Sequence, residues 1–285
     1  MKNQGKRLSI LSLPEAKELY SVPQFSPHEQ EYFFTLTDDE LAAVNRINSY
    51  RNRIHLILMM GYFRVKRVCL VYGWKDIDED YRYVAERYYR KANKQNKNLD
   101  RQTRSRLYNT VFNIIDYQRY DKSVELDVLA HLEKRAMLYI DETQLFKDMV
   151  ALLKSDHIAI PRYSTLQLVI SKAIKTEENR LSGMITQFIS KPGNFLQLID
   201  SNEKHCRLKD LKKLTKTYKT GEVRKELERY KVLSELSSDA LNLMSKLKLS
   251  DGNIRYFATR CQQYDSNRLR ELDKGNTLIY WACFI

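Results

Sequence analysis

Thr37 to Arg67 reads TDDELAAVNRINSYRNRIHLILMMGYFRVKR, and two helices are legible in it. Thr37, followed three positions later by Glu40, has the form of a capping box: the hydroxyl and the carboxylate each accept a backbone N–H that a helix start would otherwise leave unpaired. It opens a helix through Leu41, Val44 and Ile47. Ser49 starts a longer one, whose residues Ile54, Ile57, Leu58, Gly61, Tyr62 and Val65 recur at helical spacing. Between Glu40 and Asp76 there is no acidic residue, whereas Arg46, Arg51, Arg53, Arg64, Lys66, Arg67 and Lys75 are all basic. Two helices with an apolar seam and charge of a single sign make a module suited to lie against phosphates. Arg51, Arg53, Lys66 and Arg67 are its candidate phosphate clamps.

Outward from this pair the pattern stays helical. Trp74 to Tyr89 is amphipathic, with Ile77, Tyr81, Val84, Tyr88 and Tyr89 inward. Its start carries Asp76, Asp78, Glu79 and Asp80, which read as carboxylates favoured by a helix N-terminus rather than as a metal site. Arg90 to Arg106 holds seven Lys or Arg and one Asp, and supplies Arg104 and Arg106 as backbone-contact candidates. Helices are predicted over Thr103–Tyr117, Val124–Ile140, Thr143–Lys154 and Thr165–Phe188, the last interrupted by Gly183. Lys191-Pro192-Gly193-Asn194 breaks the chain. Lys204 to Lys231 is a second basic concentration, with 11 Lys or Arg against four acids. Further helices follow at Leu233–Leu247 and Gly252–Tyr264, the latter capped by Ser250 or Asp251. Eight Gly and five Pro are too few for a sandwich, a barrel or a nucleotide-binding sheet. The expected fold is all-α, built from several small helical modules that include helix-turn-helix-like units. The boundaries are residues 1–90, 91–190 (with the helix-turn-helix-like segment at 150–175) and 191–285, a basic linker with a C-terminal helical module.

Composition narrows the partner. The net charge is +13, which favours an anionic partner, nucleic acid or an acidic membrane surface. The longest apolar segment, Ile54 to Phe63, is ten residues, too short to span a bilayer, and the N-terminal apolar stretch Leu8–Leu13 is stopped by Pro14. The four cysteines, Cys69, Cys206, Cys261 and Cys283, form no CxxC pair, so neither a zinc ribbon nor a redox motif is suggested. Phosphate-loop, nucleophile-elbow and zincin motifs are missing, and the five histidines are scattered. No catalytic residue, metal ligand or cofactor-binding residue is assigned. The expected location is the cytoplasm.

The last stretch, Thr277 to Ile285, reads TLIYWACFI, an uncharged apolar run after Lys274-Gly275-Asn276. A new helix starts there, and its apolar residues call for a following element to cover them. The expectation is therefore the front portion of a longer protein, with self-association through this helix as a possible consequence.

His157 to Gln167, HIAIPRYSTLQ, carries the most specific functional signal. Asp156 and His157 close a helix, Ile158 and Ile160 anchor an extended turn, and Pro161 keeps the preceding residue non-helical. Ser164 is expected to cap the next helix, with Gln167 completing a capping box. Free N–H groups and short hydroxyls at such a start suit a phosphate or a base edge. The candidates are Arg162, Tyr163, Ser164, Thr165 and Gln167, with Lys172 further along; Gln and Lys are able to read base edges. Arg255, Tyr256 and Arg260 form a third surface at helical spacing. An ordinary turn between helices is the plain alternative for this segment.

The stretch HIAIPRYSTLQLVISKAI resembles a segment in the N-terminal region of Tn-three-family transposases, which move replicative bacterial transposons. Two other stretches share the resemblance in the same order: Leu36 to Tyr89, with SYRNRIHLILMMGYFRVKR and DIDEDYRYVAERYY, and Leu249 to Ile285, LSDGNIRYFATRCQQYDSNRLRELDKGNTLIYWACFI. It is weak between Ser182 and Leu247. The resemblance implies a helical region that binds double-stranded DNA at the terminal inverted repeats, in a bacterial, nucleoid-associated protein. It implies an RNase-H-like catalytic core further along, where an acidic triad holds divalent metal; no cofactor is expected in this chain, and no acid here is assigned to that triad. With several modules on one DNA end, affinity should fall by roughly three to five orders of magnitude between low and moderate salt. The competing expectation is a helical scaffold or regulatory remnant with only non-specific affinity. A metal-dependent nuclease would need Asp76–Asp80, and RNA binding would need a stacking sheet that the pattern does not supply.

Overall fold

The computed structural model describes residues 10–90, 98–188, 211–212, 217 and 219–285, so Lys191–Asn194 and part of the second basic concentration (204–210, 213–216 and 218) lie outside the described residues. The described chain is all-α: thirteen helices, a short 3-10 turn at Trp74–Asp76 and two isolated β-bridges. The helices are α1 (Leu13–Tyr20), α2 (Pro27–Phe34), α3 (Asp38–Asn45), α4 (Tyr50–Lys66), α5 (Asp78–Tyr88), α6 (Arg101–Ile115) and α7 (Lys122–Ala136). They continue as α8 (Glu142–Ser155), α9 (Tyr163–Phe188), α10 (Thr220–Leu247), α11 (Asp251–Gln263), α12 (Ser266–Arg270) and α13 (Lys274–Phe284). Contacts divide the chain into two compact units, Met1–Val128 with Phe146–Val169, and Leu129–Leu145 with Ile170–Ile285. No helix of the described residues is long and apolar enough to cross a membrane.

The first unit is organised around α4. The Thr37 capping box is present, and the Ser49 hydroxyl caps α4 at the N–H of Asn52. Every residue from Ile54 to Phe63 is buried, His55 included. A helix that is apolar all round belongs inside a core, and α2, α3, α5 and α6 pack against this one. The expected seam with a phosphate-facing side is therefore corrected: the middle of α4 presents no face to solvent, and its cations stand at its two ends. Gly61 makes the crossing with α2 possible, since a Cβ there would lie 2.4 Å from the Phe34 ring and 3.2 Å from the Phe33 carbonyl. Burial is reconciled with polarity by one network. The Tyr62 hydroxyl donates to Asp80 Oδ2 at 2.7 Å and Gln30 Nε2 donates to Oδ1 at 2.8 Å, joining α2, α4 and α5. Desolvation nevertheless raises the Asp80 carboxyl above its ordinary range. Three of the four acids of Asp76–Asp80 thus go to separate partners: Asp76 accepts from the Gly73 N–H, Asp78 pairs with Arg82, and Asp80 faces inward.

Three helices of this unit, α4, α6 and α8, end on non-glycine residues in the left-handed region: Arg67 (φ 57°), Asp116 (φ 53°) and His157 (φ 53°). Each such residue costs on the order of 1 kcal/mol or more, so something must hold it. The holding element is backbone pairing. Val68 bridges Ile160 and Gln118 bridges Ile158, both in parallel sense. The Ile160 N–H donates to Arg67 O at 2.8 Å, the Gln118 N–H to His157 O at 2.8 Å, and the Ala159 N–H to Gln118 O at 2.9 Å. Above this seam Tyr117 lies between the Arg67 guanidinium (5.0 Å) and the His157 ring (5.0 Å, 7° between planes). The expected extended turn before Pro161 is present, but it is a buried, paired segment, longer than the roughly 3–4-residue turn of a DNA-reading helix pair.

The second unit is built on α10, α11 and α13. Leu236, Ala240, Leu243 and Leu247 give α10 a buried stripe at helical spacing, although the helix begins at Thr220, earlier than its apolar pattern indicates. The Ser250 hydroxyl caps α11, and the fully buried Asn253 donates from Nδ2 to the Ala136 and Met137 carbonyls at 3.0 and 3.2 Å. The expectation of an uncovered C-terminal run is overturned: Leu278, Ile279, Tyr280, Trp281, Ala282 and Cys283 are all buried, with α10 and α11 packed against α13. The physical basis for self-association through that helix goes with it. The helix expected to start at Lys274-Gly275-Asn276 does so, with Asp273 as the cap of α13, and Gly275 lies so close to Ser182 that a Cβ would be 2.8 Å from its backbone. Gly183 does not interrupt α9, which runs unbroken through it.

Candidate nucleic-acid interface

In the first unit, the Asp100 side chain accepts the Thr103 N–H and fixes the start of α6. That start sets Arg101, Arg104, Ser105 and Tyr108 on one face, since positions three, four and seven apart share a side of a helix. This face forms one wall of a cleft of about 1050 Å³. Val68, Cys69 and Val71 follow from the end of α4; Arg119, Tyr120, Asp121, Lys122 and Glu125 lead into α7; Ala159, Ile160, Pro161, Arg162 and Thr165 come from the paired segment and the start of α9; Tyr20 completes it. Five cationic side chains (Arg101, Arg104, Arg119, Lys122, Arg162) face two carboxylates, Asp121 and Glu125. Asp121 Oδ1 accepts the Val124 N–H at 3.0 Å as the cap of α7.

Hydrogen bonds tie the walls of the cleft to one another. Tyr108 donates its hydroxyl hydrogen to Leu70 O at 2.9 Å, and Tyr20 donates to Pro161 O at 2.6 Å. Arg119 Nη2 reaches Ser105 Oγ at 3.2 Å. Arg104 lies over the Tyr72 ring at 5.8 Å and donates to Leu99 O at 3.3 Å, while its Nε and the Tyr120 hydroxyl are buried with no hydrogen-bond partner. Burial, reinforced by the Glu125 charge, raises the Tyr120 phenol, so it stays a neutral donor at physiological pH. Burial also pushes the Cys69 thiol up to about 11, against a smaller opposing effect of Arg119, which favours the protonated thiol at neutral pH.

The predicted residues separate into distinct settings. Arg104, Arg162 and Thr165 are brought together in this cleft. Arg101, Arg119 and Lys122 belong with them and were missed, although the spacing of Arg101, Arg104, Ser105 and Tyr108 was available as a signal. Ser164 and Arg106 are exposed, and Gln167 is half-buried. Ser164 is not the cap of α9: the helix starts at Tyr163, with the Thr165 and Leu166 N–H groups bonded to Arg162 O. Tyr163 is turned to the fold, its hydroxyl accepting the Ile10 and Leu11 N–H groups at 3.1 and 2.7 Å.

Arg51, Arg53, Lys66 and Arg67 do not form one clamp. Arg51 and Lys66 stand at opposite ends of α4, roughly 22 Å apart along the axis. Arg53 donates to Ile47 O and to Asn45 O and stacks over Tyr50 at 5.2 Å. Arg51 Nε donates to the Asn52 side chain, Lys66 Nζ donates to Glu18 O at 2.8 Å, and Arg67 stacks on Tyr117.

In the second unit, Lys172 lines an open groove of about 590 Å³ together with Lys175, Ser171, Thr176, Asn179 and Leu129. Arg255, Tyr256 and Arg260 line another of about 580 Å³. There Arg260 is paired with Glu142 at 2.7 Å and covers the Tyr256 ring at 5.3 Å. Tyr256 is raised above the usual phenol range by burial and by the neighbouring Glu178. Of this trio, Arg255 is the exposed one.

No curated protein matches the chain. Residues 10–173 match the family model described as a domain of unknown function, DUF4158, a stretch that contains every residue lining the larger cleft. The chain belongs to that family.

Proposed function

We propose that this chain is a DNA-binding region of a transposase of the Tn-three type, and that it holds double-stranded DNA at the terminal inverted repeats of the transposon. The observation that supports this most is the cleft of the first unit, where five cationic groups surround the start of α9 and the carboxylates are outnumbered. Cations so arranged suit successive phosphates, which fix register, while exposed Arg162 and Ser164 and the partly exposed Thr165 stand at a helix start able to approach a base edge. The resemblance of His157–Ile174, Leu36–Tyr89 and Leu249–Ile285 to such transposases supplies the choice of partner. The reading assigns binding to this chain, and leaves cleavage and strand transfer to a metal-holding core elsewhere in such a protein.

A second reading has its own support. Arg53, Tyr163 and Arg260, three of the residues suited to DNA, are engaged in holding the fold, which suits a helical scaffold with only non-specific affinity. One titration separates the two. The chain is titrated against a duplex carrying candidate end repeats and against a scrambled duplex, at two salt concentrations. A preference for the repeat that survives moderate salt is the expected result; equal affinities that vanish together with salt would leave the scaffold.

A further inference from the structure

The cleft has a composition that a duplex surface does not use. Its rim is cationic, but Val68, Ile160 and Pro161 make part of its lining apolar, and Tyr108 and Tyr120 add aromatic surface. Duplex DNA is read by elements that protrude into a groove, and its phosphates lie on a convex surface that would rest on the rim. Its bases remain stacked and would leave such a concavity empty. An unpaired strand behaves differently, because its bases swing free and seek apolar or aromatic surface while cations track the backbone. The cleft, at about 1050 Å³, is at the upper end of the range for sites that enclose a small organic ligand. Tyr120 is one of the residues lining it, and its hydroxyl is buried without a hydrogen-bond partner, so its ring is the part of the side chain turned to the cleft.

We infer that the cleft receives an unpaired DNA strand, one or two nucleotides at the end of a duplex, with a base against the lining and its phosphates on Arg101, Arg119 and Arg162. The inference rests on the DNA-binding reading above and names what enters that site. Arg119 holds the flanking phosphate from its station beside Ser105, and the Tyr120 ring offers the base an aromatic surface.

The test is fluorescence anisotropy with the full chain and three kinds of labelled DNA: a blunt duplex, the same duplex with a five-nucleotide tail on either its 5′ or its 3′ end, and a short oligothymidine. The expected result is about tenfold tighter binding of one tailed duplex than of the blunt one, as for a single stacked base. That gain should disappear in Arg119→Ala and shrink severalfold in Tyr120→Leu, a variant that removes the aromatic ring and whose folding is checked by its thermal melt. Equal binding of tailed and blunt duplexes would overturn the inference and leave the DNA-binding reading standing. A tail-dependent gain that persists in Arg119→Ala would place the unpaired strand elsewhere and overturn the assignment of this cleft. No binding of any of the three DNAs would overturn both readings together, and unchanged affinity in the presence of excess thymidine monophosphate separates a strand from a free nucleotide as the occupant.

Discussion

Tyr163 shows how one residue can satisfy two quite different readings of the same segment. Placed at the first position of α9 beside an exposed arginine, it has the credentials of a base-reading side chain, yet its hydroxyl is the acceptor for two backbone N–H groups from Ile10 and Leu11. Those donors have no strand or helix partner, and removing their acceptor leaves them to solvent or to nothing. Tyr163→Phe keeps the ring against Phe146 and deletes only the acceptor. The expected cost is about 1–2 kcal/mol, read from the midpoint of urea unfolding, with the preference for one DNA sequence over another unchanged. A variant of unaltered stability that lost sequence preference would return Tyr163 to the interface. The same accounting explains Arg53 and Arg260: residue type and spacing mark a cation as available, but only its neighbours in space, the Asn45 and Ile47 carbonyls or the Glu142 carboxylate, decide whether its donors are free.

Among the elements, two helical glycines separate packing from propensity. Gly61 sits where α2 crosses α4, and a methyl group there would meet the Phe34 ring and the Phe33 carbonyl, whereas Gly183 in α9 has nothing within 4 Å of the equivalent point. Gly61→Ala should therefore destabilise by about 1–3 kcal/mol through overpacking. Gly183→Ala should stabilise by roughly 0.5–1 kcal/mol, because a helix interior favours alanine. Thermal melts of the two variants should move in opposite directions; a fall for both would mean that α9 is not continuous through Gly183. What was legible at this scale was local. The Thr37 box, the Ser49 and Ser250 caps and the extended backbone before Pro161 are properties of neighbouring residues, and all are present. What was hidden depended on partners distant in sequence. Ile54–Phe63 has the apolar content of a core helix, but that it is buried all round follows from four other helices, and the Thr277–Ile285 run finds cover in α10 and α11. The cleft was half legible for the same reason: Arg101 to Tyr108 share a helix face by spacing alone, while Arg119 and Lys122 join them only through the pairing of Gln118 with the segment before Pro161.

For the whole molecule, the question is whether a net charge of +13 attracts DNA as a field or through particular side chains. Net charge governs non-specific attraction and encounter rate, whereas the steepness of salt dependence counts the phosphates actually neutralised. Each such contact contributes about 0.9 to the slope of log affinity against log salt on a duplex, and about 0.7 on a single strand. Two double variants remove the same charge from different places. Arg101→Gln with Arg119→Gln removes two cations from the cleft. Arg224→Gln with Lys225→Gln removes two from α10, where they are exposed and paired with Glu228 and Glu222 at 3.8 and 3.0 Å. If the cleft holds DNA, the first variant should flatten the slope by about 1.4 to 1.8 and the second should leave it within error, measured by anisotropy across a salt series. Equal flattening in both would make binding a property of the overall field, and the five cations around the start of α9 would lose their claim to be a site.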